Sequence, residues 1–252
     1  MTVHVGRTYV VSGAASGIGR ALTLQLLGDR ANVIALDRDE GGLDDLTGDL
    51  PSGHGSLRST AVDVSDEDAV SGAIEAAVTE LGPLAGVATC AGVFVGGDFA
   101  PIADVELDHF LAVLNVNLVG SFLVAKHSLP HLARPGGSVV TVASTAALRG
   151  HGRGAGYTAS KGGVDALTRL IAVQYGPEGI RANCVCPGGT NTPMTMGAFT
   201  KPEGLAAVRR TYPLQRAGEA DEPAAVISFL LSDAAAFVTG TTIPVDGGVI
   251  IA

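Results

Sequence analysis

Tyr157-Thr-Ala-Ser-Lys161 sets a phenol and an ammonium four residues apart. On a helix those positions share a face. A phenol ionises at about pH 10, too high for easy proton exchange at neutral pH. A fixed ammonium beside it favours the phenolate, and such a pair can serve as a general acid/base. Taken alone, Tyr-x-x-x-Lys is a common helix-surface pattern, so its meaning depends on its partners. Ser144 follows the run Ser138–Ala143, thirteen positions before Tyr157. Its hydroxyl can hydrogen-bond an oxygen that gains negative charge, or simply cap the next turn.

A second constellation lies near the N-terminus, where Val10–Gly19 reads Val-Val-Ser-Gly-Ala-Ala-Ser-Gly-Ile-Gly. Thr8–Val11 suits a buried strand. Gly13, Gly17 and Gly19, with Ser16 and Ile18 between them, fall where the chain must turn sharply into a helix. That helix is marked by Ile18, Ala21, Leu22, Leu24, Leu26 and Leu27. Strand, glycine turn and helix form a phosphate-binding arrangement, because helix N-terminal N–H groups favour negative charge. Asp37 ends the next strand, about 20 residues beyond the turn, where a carboxylate can hold both hydroxyls of an adenosine ribose. It would repel a 2′-phosphate, which favours NAD over NADP. Arg38 pulls the other way, since an Arg there can accommodate that phosphate, while Ala14 and Ala15 offer no further cation. On its own, Asp37 reads as a solvated strand end.

The elements that must position these groups alternate along the chain. Strands are expected at Asn32–Leu36, Leu57–Val62, Leu84–Thr89, Ser138–Ala143, Arg181–Val185 and Thr242–Val245. Helices are expected around Leu43 and Leu46, at Asp66–Leu81 with Ser65 as N-cap, from about Asp104 to Arg134, at Tyr157–Tyr175 and at Pro223–Leu231. This alternation predicts a Rossmann-type α/β fold, a doubly wound parallel sheet with helices on both faces. Without linker or repeat, residues 1–252 read as one domain.

Composition narrows the function further. The chain is 46% hydrophobic and 16% charged, as in folded globular proteins. A net charge of -9 argues against nucleic-acid and anionic membrane surfaces. No run of about 18 apolar residues marks a membrane span, and Met1–Arg7 has no leader pattern. Cys90, Cys184 and Cys186, an odd set without CxxC spacing, read as reduced thiols of a cytoplasmic protein. Cys184 and Cys186 should point to one side of their strand. His127 and His131 are spaced i, i+4, but no HExxH pattern or acidic ligand accompanies them, so no metal site is assigned.

The spacing Gly13-x-x-x-Gly17-x-Gly19 resembles the glycine motif of the short-chain dehydrogenase/reductase family, with Ser12 where that family usually has Thr. Tyr157-x-x-x-Lys161, Ser144 and Asn117 (in Asn-Val-Asn-Leu-Val-Gly) resemble its catalytic residues in order. The resemblance implies that Tyr157 exchanges a proton with a secondary alcohol or ketone beside Ser144. It implies that Lys161 binds the nicotinamide ribose and acidifies Tyr157, and that Asn117 bends its helix and holds a water path to Lys161. It also implies adenine contacts from Asp63-Val64, and close backbone approach to the cofactor at Cys90-Ala91-Gly92. Pro187-Gly188 and Thr190 to Thr192 would hold the carboxamide, Thr190 through its backbone and Thr192 through its hydroxyl. Cys90 departs from the family's Asn, which puts local sheet stability in doubt.

The implied activity is NAD-dependent interconversion of a small-molecule secondary alcohol and a ketone. Dihydrodiol dehydrogenase and 3-oxoacyl-carrier-protein reductase are alternatives of the same architecture, and an NAD-binding sensor or scaffold is the non-enzymatic one. Residues 190–213 resemble the family's substrate-covering loop, with Met194, Met196, Phe199, Leu205 and Val208 as an apolar wall and Phe94 and Val95 opposite. Arg149, His151 and Arg153 either bind an acidic substrate or face solvent. Apolar helices, the tail Ile243–Ala252 and a mean hydropathy of +0.35 point to a homotetramer.

Overall fold

The computed structural model describes residues 3–150, 154–195, 197–199 and 201–252. His151, Arg153 and Met196, named above for the substrate side, lie outside the described residues. In chain order the elements begin β1 (Thr8–Ser12), α1 (Gly17–Gly28), β2 (Asn32–Asp37), α2 (Glu40–Gly48), β3 (Leu57–Ala61), α3 (Glu67–Leu81) and β4 (Leu84–Thr89). They continue with α4 (Leu107–Leu114), α5 (Gly120–Ser128), β5 (Ser138–Val142), α6 (Ala155–Tyr175) and β6 (Arg181–Pro187). The last are β7 (Thr190–Asn191), α7 (Pro202–Thr211), β8 (Gly218–Glu219), α8 (Asp221–Leu231) and β9 (Thr242–Val245).

Seven strands form a parallel sheet in the order β3-β2-β1-β4-β5-β6-β9. Its two faces follow from the period-2 alternation of side chains along each strand. Tyr9, Val11, Val33 and Ala35 point to one face, where Leu22, Leu26, Ile227 and Leu230 of α1 and α8 cover them. Val10, Ile34 and Leu36 point to the other, against Val70, Ile74, Leu123, Val124 and Ile171 of α3, α5 and α6. Each fully buried aliphatic side chain contributes roughly 1.5–3 kcal/mol by leaving water. Strand order reverses between β1 and β4, so the carboxyl ends of those strands border a crevice suited to a ligand.

The helix expected from Asp104 to Arg134 is shorter and interrupted. Tight turns at Gly96–Phe99 and Ile102–Asp104 precede it, with Pro101 between them, and α4 starts at Leu107. A wide π-type turn, Asn115–Val119, separates α4 from α5, and a 3-10 turn, Leu129–His131, ends the run. Leu107–His131 is long and apolar enough to cross a bilayer by length and mean hydropathy, although Asp108, Asn115, Asn117 and Lys126 interrupt it. Val113, Leu123 and Val124 of this stretch are nevertheless packed in the interior. His131 sits in the terminal turn rather than on one helix with His127, whose Nε2 lies 3.1 Å from Glu67. The cap of α3 is Asp66, whose side chain accepts from the Ala69 N–H at 3.0 Å. Ser65 instead donates its hydroxyl to Asp63 at 2.7 Å.

Candidate active site

The glycine turn lies at the crevice because it fits nowhere else without clashing. Gly13 adopts φ +70°, and a Cβ there would meet the Ala91 backbone N at 2.7 Å. A Cβ on Gly19 would meet the Gly13 carbonyl O at 2.1 Å. The absence of side chains lets β1, the first turn of α1 and the end of β4 close on one another. The seam is tied by the Cys90 N–H to the Ser12 carbonyl (3.1 Å) and the Ala91 N–H to the Ser12 hydroxyl (3.4 Å). Backbone groups and Ser12 therefore do the joining where Cys90 replaces an amide side chain. Burial pushes the Cys90 thiol up to about 12, so it is a neutral neighbour of the groove.

A groove of about 350 Å³ runs along these strand ends. It is lined by Gly13, Ser16, Gly17, Ile18, Gly19, Asp37, Arg38, Asp63, Val64, Cys90, Ala91 and Gly92. Ser144, Tyr157, Lys161, Pro187, Gly188, Thr190 and Thr192 line it as well. Of the four residues expected to do the chemistry, Asn117 stands behind the wall. Of the described residues expected on the substrate side, Met194 lines the groove, whereas Phe94, Val95, Arg149, Phe199, Leu205 and Val208 do not. At one end the Asp37 carboxylate accepts from the N–H groups of Ala15 and Asp39, both at 3.0 Å, which fixes it facing the turn. Arg38 is exposed and close enough to Asp63 to help hold that carboxyl below the usual range, behind the larger effect of two hydrogen bonds from Ser65. Val64 is buried against Gly120, where a Cβ would meet its Cγ2 at 2.6 Å.

At the other end the proton-handling groups converge. The Lys161 ammonium is 4% exposed and donates to the Val142 carbonyl at 2.8 Å. Burial lowers it to about 8. The ammonium is 5.8 Å from the centre of the Tyr157 ring. Ser144 and Tyr157 line the same groove, and the Ser144 hydroxyl accepts from the Ala146 N–H at 3.1 Å. Burial raises the Tyr157 phenol, and the Ser144 hydroxyl partly offsets this.

Asn117, fully buried in the wide turn, accepts from the Val93 N–H at 2.7 Å. It donates to the Val93 carbonyl at 3.1 Å and to the Ser160 hydroxyl at 3.2 Å. It thus staples the segment after β4 to α6. Gly92 marks the narrow point, since a Cβ there would stand 3.4 Å from both Asn117 Oδ1 and Lys161 Nζ. On the far wall the Thr190 hydroxyl donates to the Gly188 carbonyl at 3.1 Å. The Thr192 side chain approaches the position a Gly17 Cβ would take, at 3.3 Å. Arg149, a candidate for an acidic substrate, donates to the Val249 carbonyl at 2.5 Å and so anchors the C-terminal tail.

Asp98 escaped the reading from sequence. It is fully buried, and its carboxylate accepts from the Gly156 N–H (2.6 Å) and the Tyr157 N–H (2.9 Å). The signal available was indirect: α6 begins after Gly154, which has no side chain to cap it.

The groove fits a dinucleotide on its own geometry. It has a side-chain-free cradle at a helix N-terminus, a carboxylate at one end and a buried ammonium at the other. Comparison with known proteins agrees. A family model described as enoyl-(acyl carrier protein) reductase matches residues 13–250. The cis-4-hydroxycyclohexanecarboxylate dehydrogenase of Sinomonas cyclohexanicum is 37% identical over 244 residues, 96% of each chain. The 3-oxoacyl-[acyl-carrier-protein] reductase of Thermotoga maritima is 35% identical over 98% of each chain. A solved short-chain type dehydrogenase/reductase from Mycobacterium ulcerans superposes with a TM-score of 0.92 at 33% identity, covering 98% of this chain and 91% of that one. With the fold, the groove and these relatives in agreement, the chain belongs to the short-chain dehydrogenase/reductase family, nicotinamide-dependent oxidoreductases that interconvert alcohols and ketones.

Proposed function

We propose that this enzyme is an NAD-dependent dehydrogenase of an apolar secondary alcohol, with Tyr157 as the general acid/base. The observation that carries the reading is the gathering of Tyr157, Ser144 and Lys161 in one groove with the Asp37 carboxylate. Gly13, Ser16, Gly17, Ile18 and Gly19 would cradle the pyrophosphate, and Asp37 the adenosine ribose. Asp63-Val64 would flank the adenine, Cys90-Ala91-Gly92 would form the floor, and Pro187, Gly188, Thr190 and Thr192 would hold the carboxamide. When bound, oxidised nicotinamide takes up the hydride, and its ring charge favours the phenolate.

In alcohol oxidation, Ser144 orients the substrate hydroxyl and Tyr157 takes its proton. As charge builds on the substrate oxygen, the Ser144 hydroxyl donates to it. Lys161 holds a positive charge next to the phenolate, and Asn117 keeps Val93 and α6 in register with it. In reduction, Tyr157 returns the proton to the ketone oxygen. Half-buried Phe94, stacked on Tyr157 with ring centroids 4.5 Å apart, supports an apolar substrate, as does the engagement of Arg149 by the tail. Residues 190–213 would cover that substrate, within one catalytic domain spanning residues 1–252.

Leu107, Leu111, Phe122, Leu170 and Val173 lie exposed on α4, α5 and α6, and Phe229, Phe237 and Ile251 on α8 and the segments after it. These two apolar surfaces suit a homotetramer. Three free cysteines suit the reducing cytoplasm. The test is an absorbance screen of secondary alcohols with each cofactor. We expect turnover with NAD at least tenfold faster than with NADP, and loss of turnover in Tyr157→Phe with NADH binding retained. Preference for NADP would transfer the 2′-phosphate to Arg38 and favour the carrier-protein reductase reading. Near-normal rates in Tyr157→Phe would remove the tyrosine from the chemistry.

A further inference from the structure

The segment after β4 leaves the groove wall and comes back to touch Tyr157 twice. Phe94 stacks on the Tyr157 ring at 4.5 Å and 25°, and Phe99 stacks on Phe94 at 4.2 Å and 23°. Between the two aromatics lies Asp98, which is fully buried. Its two carboxylate oxygens accept from the N–H groups of Gly156 and Tyr157, at 2.6 and 2.9 Å. Its backbone carbonyl accepts from the Gly154 N–H at 3.0 Å. Among the described residues no cation pairs with this carboxylate. Its compensation comes from the first-turn N–H groups of α6 and the positive end of that helix.

Helix caps are normally local, from the residue just before the helix. Here Gly154, at φ +82°, fills that place and has no side chain to give. A Cβ at Gly154 would meet Phe94 Cζ at 2.9 Å, so the position is kept bare to admit the returning segment. The cap therefore comes from a residue 58 positions earlier in the chain. It is delivered to the backbone of the residue whose hydroxyl must meet Ser144.

We propose that Asp98 is a positioning residue for Tyr157, holding the first turn of α6 so that the phenol stays on Ser144 and faces the groove. The inference rests on the assignment of Tyr157 as the acid/base. Phe94 and Asp98 then act as two jaws, one on the ring and one on the backbone, and a loss of either lets the phenol drift. The groups that face the phenol are Ser144 after β5, Lys161 on its own helix and Cys186 of β6. Of these, the Ser144 hydroxyl lowers the pKa of the phenol, which burial raises. Drift away from Ser144 moves the acid limb of the oxidation profile to higher pH.

The experiment compares Asp98→Asn and Asp98→Ala with wild type and with Tyr157→Phe. Asn keeps one acceptor and nearly the same volume, whereas Ala removes both acceptors. We expect kcat to fall about tenfold in Asp98→Asn and further in Asp98→Ala. NADH affinity should stay within about twofold, and the acid limb of kcat should rise in both variants. Folded variants with kcat within about twofold of wild type, or with lowered kcat and an unmoved acid limb, overturn the proposal. So does an Asp98→Asn chain that fails to fold, since the carboxylate would then be holding the fold rather than the tyrosine. If Tyr157→Phe itself turns over normally, the acid/base assignment fails first. If only the Asp98 variants behave as wild type, the assignment stands and the positioning role falls.

Discussion

Lys161 is a charged group kept where its charge is disfavoured. Burial lowers it to about 8, below the ordinary lysine value of 10.5, so its ammonium at neutral pH is a strain on folding. The unfolded chain binds this proton more tightly than the folded one between those values, so stability due to this residue rises as pH rises from 8 toward 10.5. Lys161→Met should abolish turnover yet stabilise the fold at pH 7 by roughly 2–3 kcal/mol, once the lost bond to the Val142 carbonyl is subtracted. Thermal melts across that range should show the advantage closing as pH rises. An equal or lower melting point at pH 7 would refute it. Tyr157 shares the predicament, since the same walls raise its phenol. The site thus holds two groups whose working forms the empty cavity resists, a common signature of catalytic residues.

At the scale of elements, the site was legible wherever chemistry is tied to a local pattern. Gly13, Gly17 and Gly19 announce a turn because only that turn needs three bare positions, and Asp37 follows from its place at a strand end. Tyr157 and Lys161 follow from helical spacing. Asp98 did not, because it lies 58 residues from the helix it caps and nothing local distinguishes it. The break between α4 and α5 has no local signal, since Leu, Val and Asn run through it without Gly or Pro until Gly120; only the resemblance at Asn117 implied a bend there. Ser65 was a reasonable N-cap by type, but Asp66 sits one residue closer to the first free N–H and wins. His4 was not singled out at all. It is buried between the Tyr9 hydroxyl (2.8 Å) and the Ser228 hydroxyl (3.0 Å), joining β1 to α8 at the end of the sheet away from the groove.

Burial lowers His4 below its ordinary value of 6.5. On acidification the unfolded chain therefore takes up this proton first. Stability is full above about pH 6.5 and is lost as pH falls through that value toward the folded one. Wild type should lose melting temperature between pH 7.5 and pH 5, and His4→Gln should lose measurably less. Parallel slopes for the two proteins would dismiss the histidine as the cause.

At the scale of the whole molecule, exposed apolar side chains sit on the helices that flank the sheet as well as at the groove, where Met194 lies. Val173 is 76% exposed on α6 and Phe237 fully so beyond α8. A net charge of -9 keeps such a surface from indiscriminate association while leaving the apolar patches free to pair with copies of themselves. We expect light scattering to report a tetramer. Val173→Glu should yield smaller species without changing the groove. A wild-type monomer at micromolar concentration would end this expectation.

The wide turn at Asn115–Val119 closes with the Gly120 N–H on the Asn115 carbonyl, five residues back. It therefore contains one residue more than a regular helix would use over the same rise. Each helical residue advances the chain by about 100° around the axis. Wound as a regular helix, the same residues would instead turn all of α5 by about that angle and take its buried face off the sheet. That winding would also withdraw the carboxamide of Asn117 from Val93. The straightened helix would be more regular in itself and misaligned with everything it touches. The extra residue thus sets the phase of α5, while Asn117 within it holds Val93.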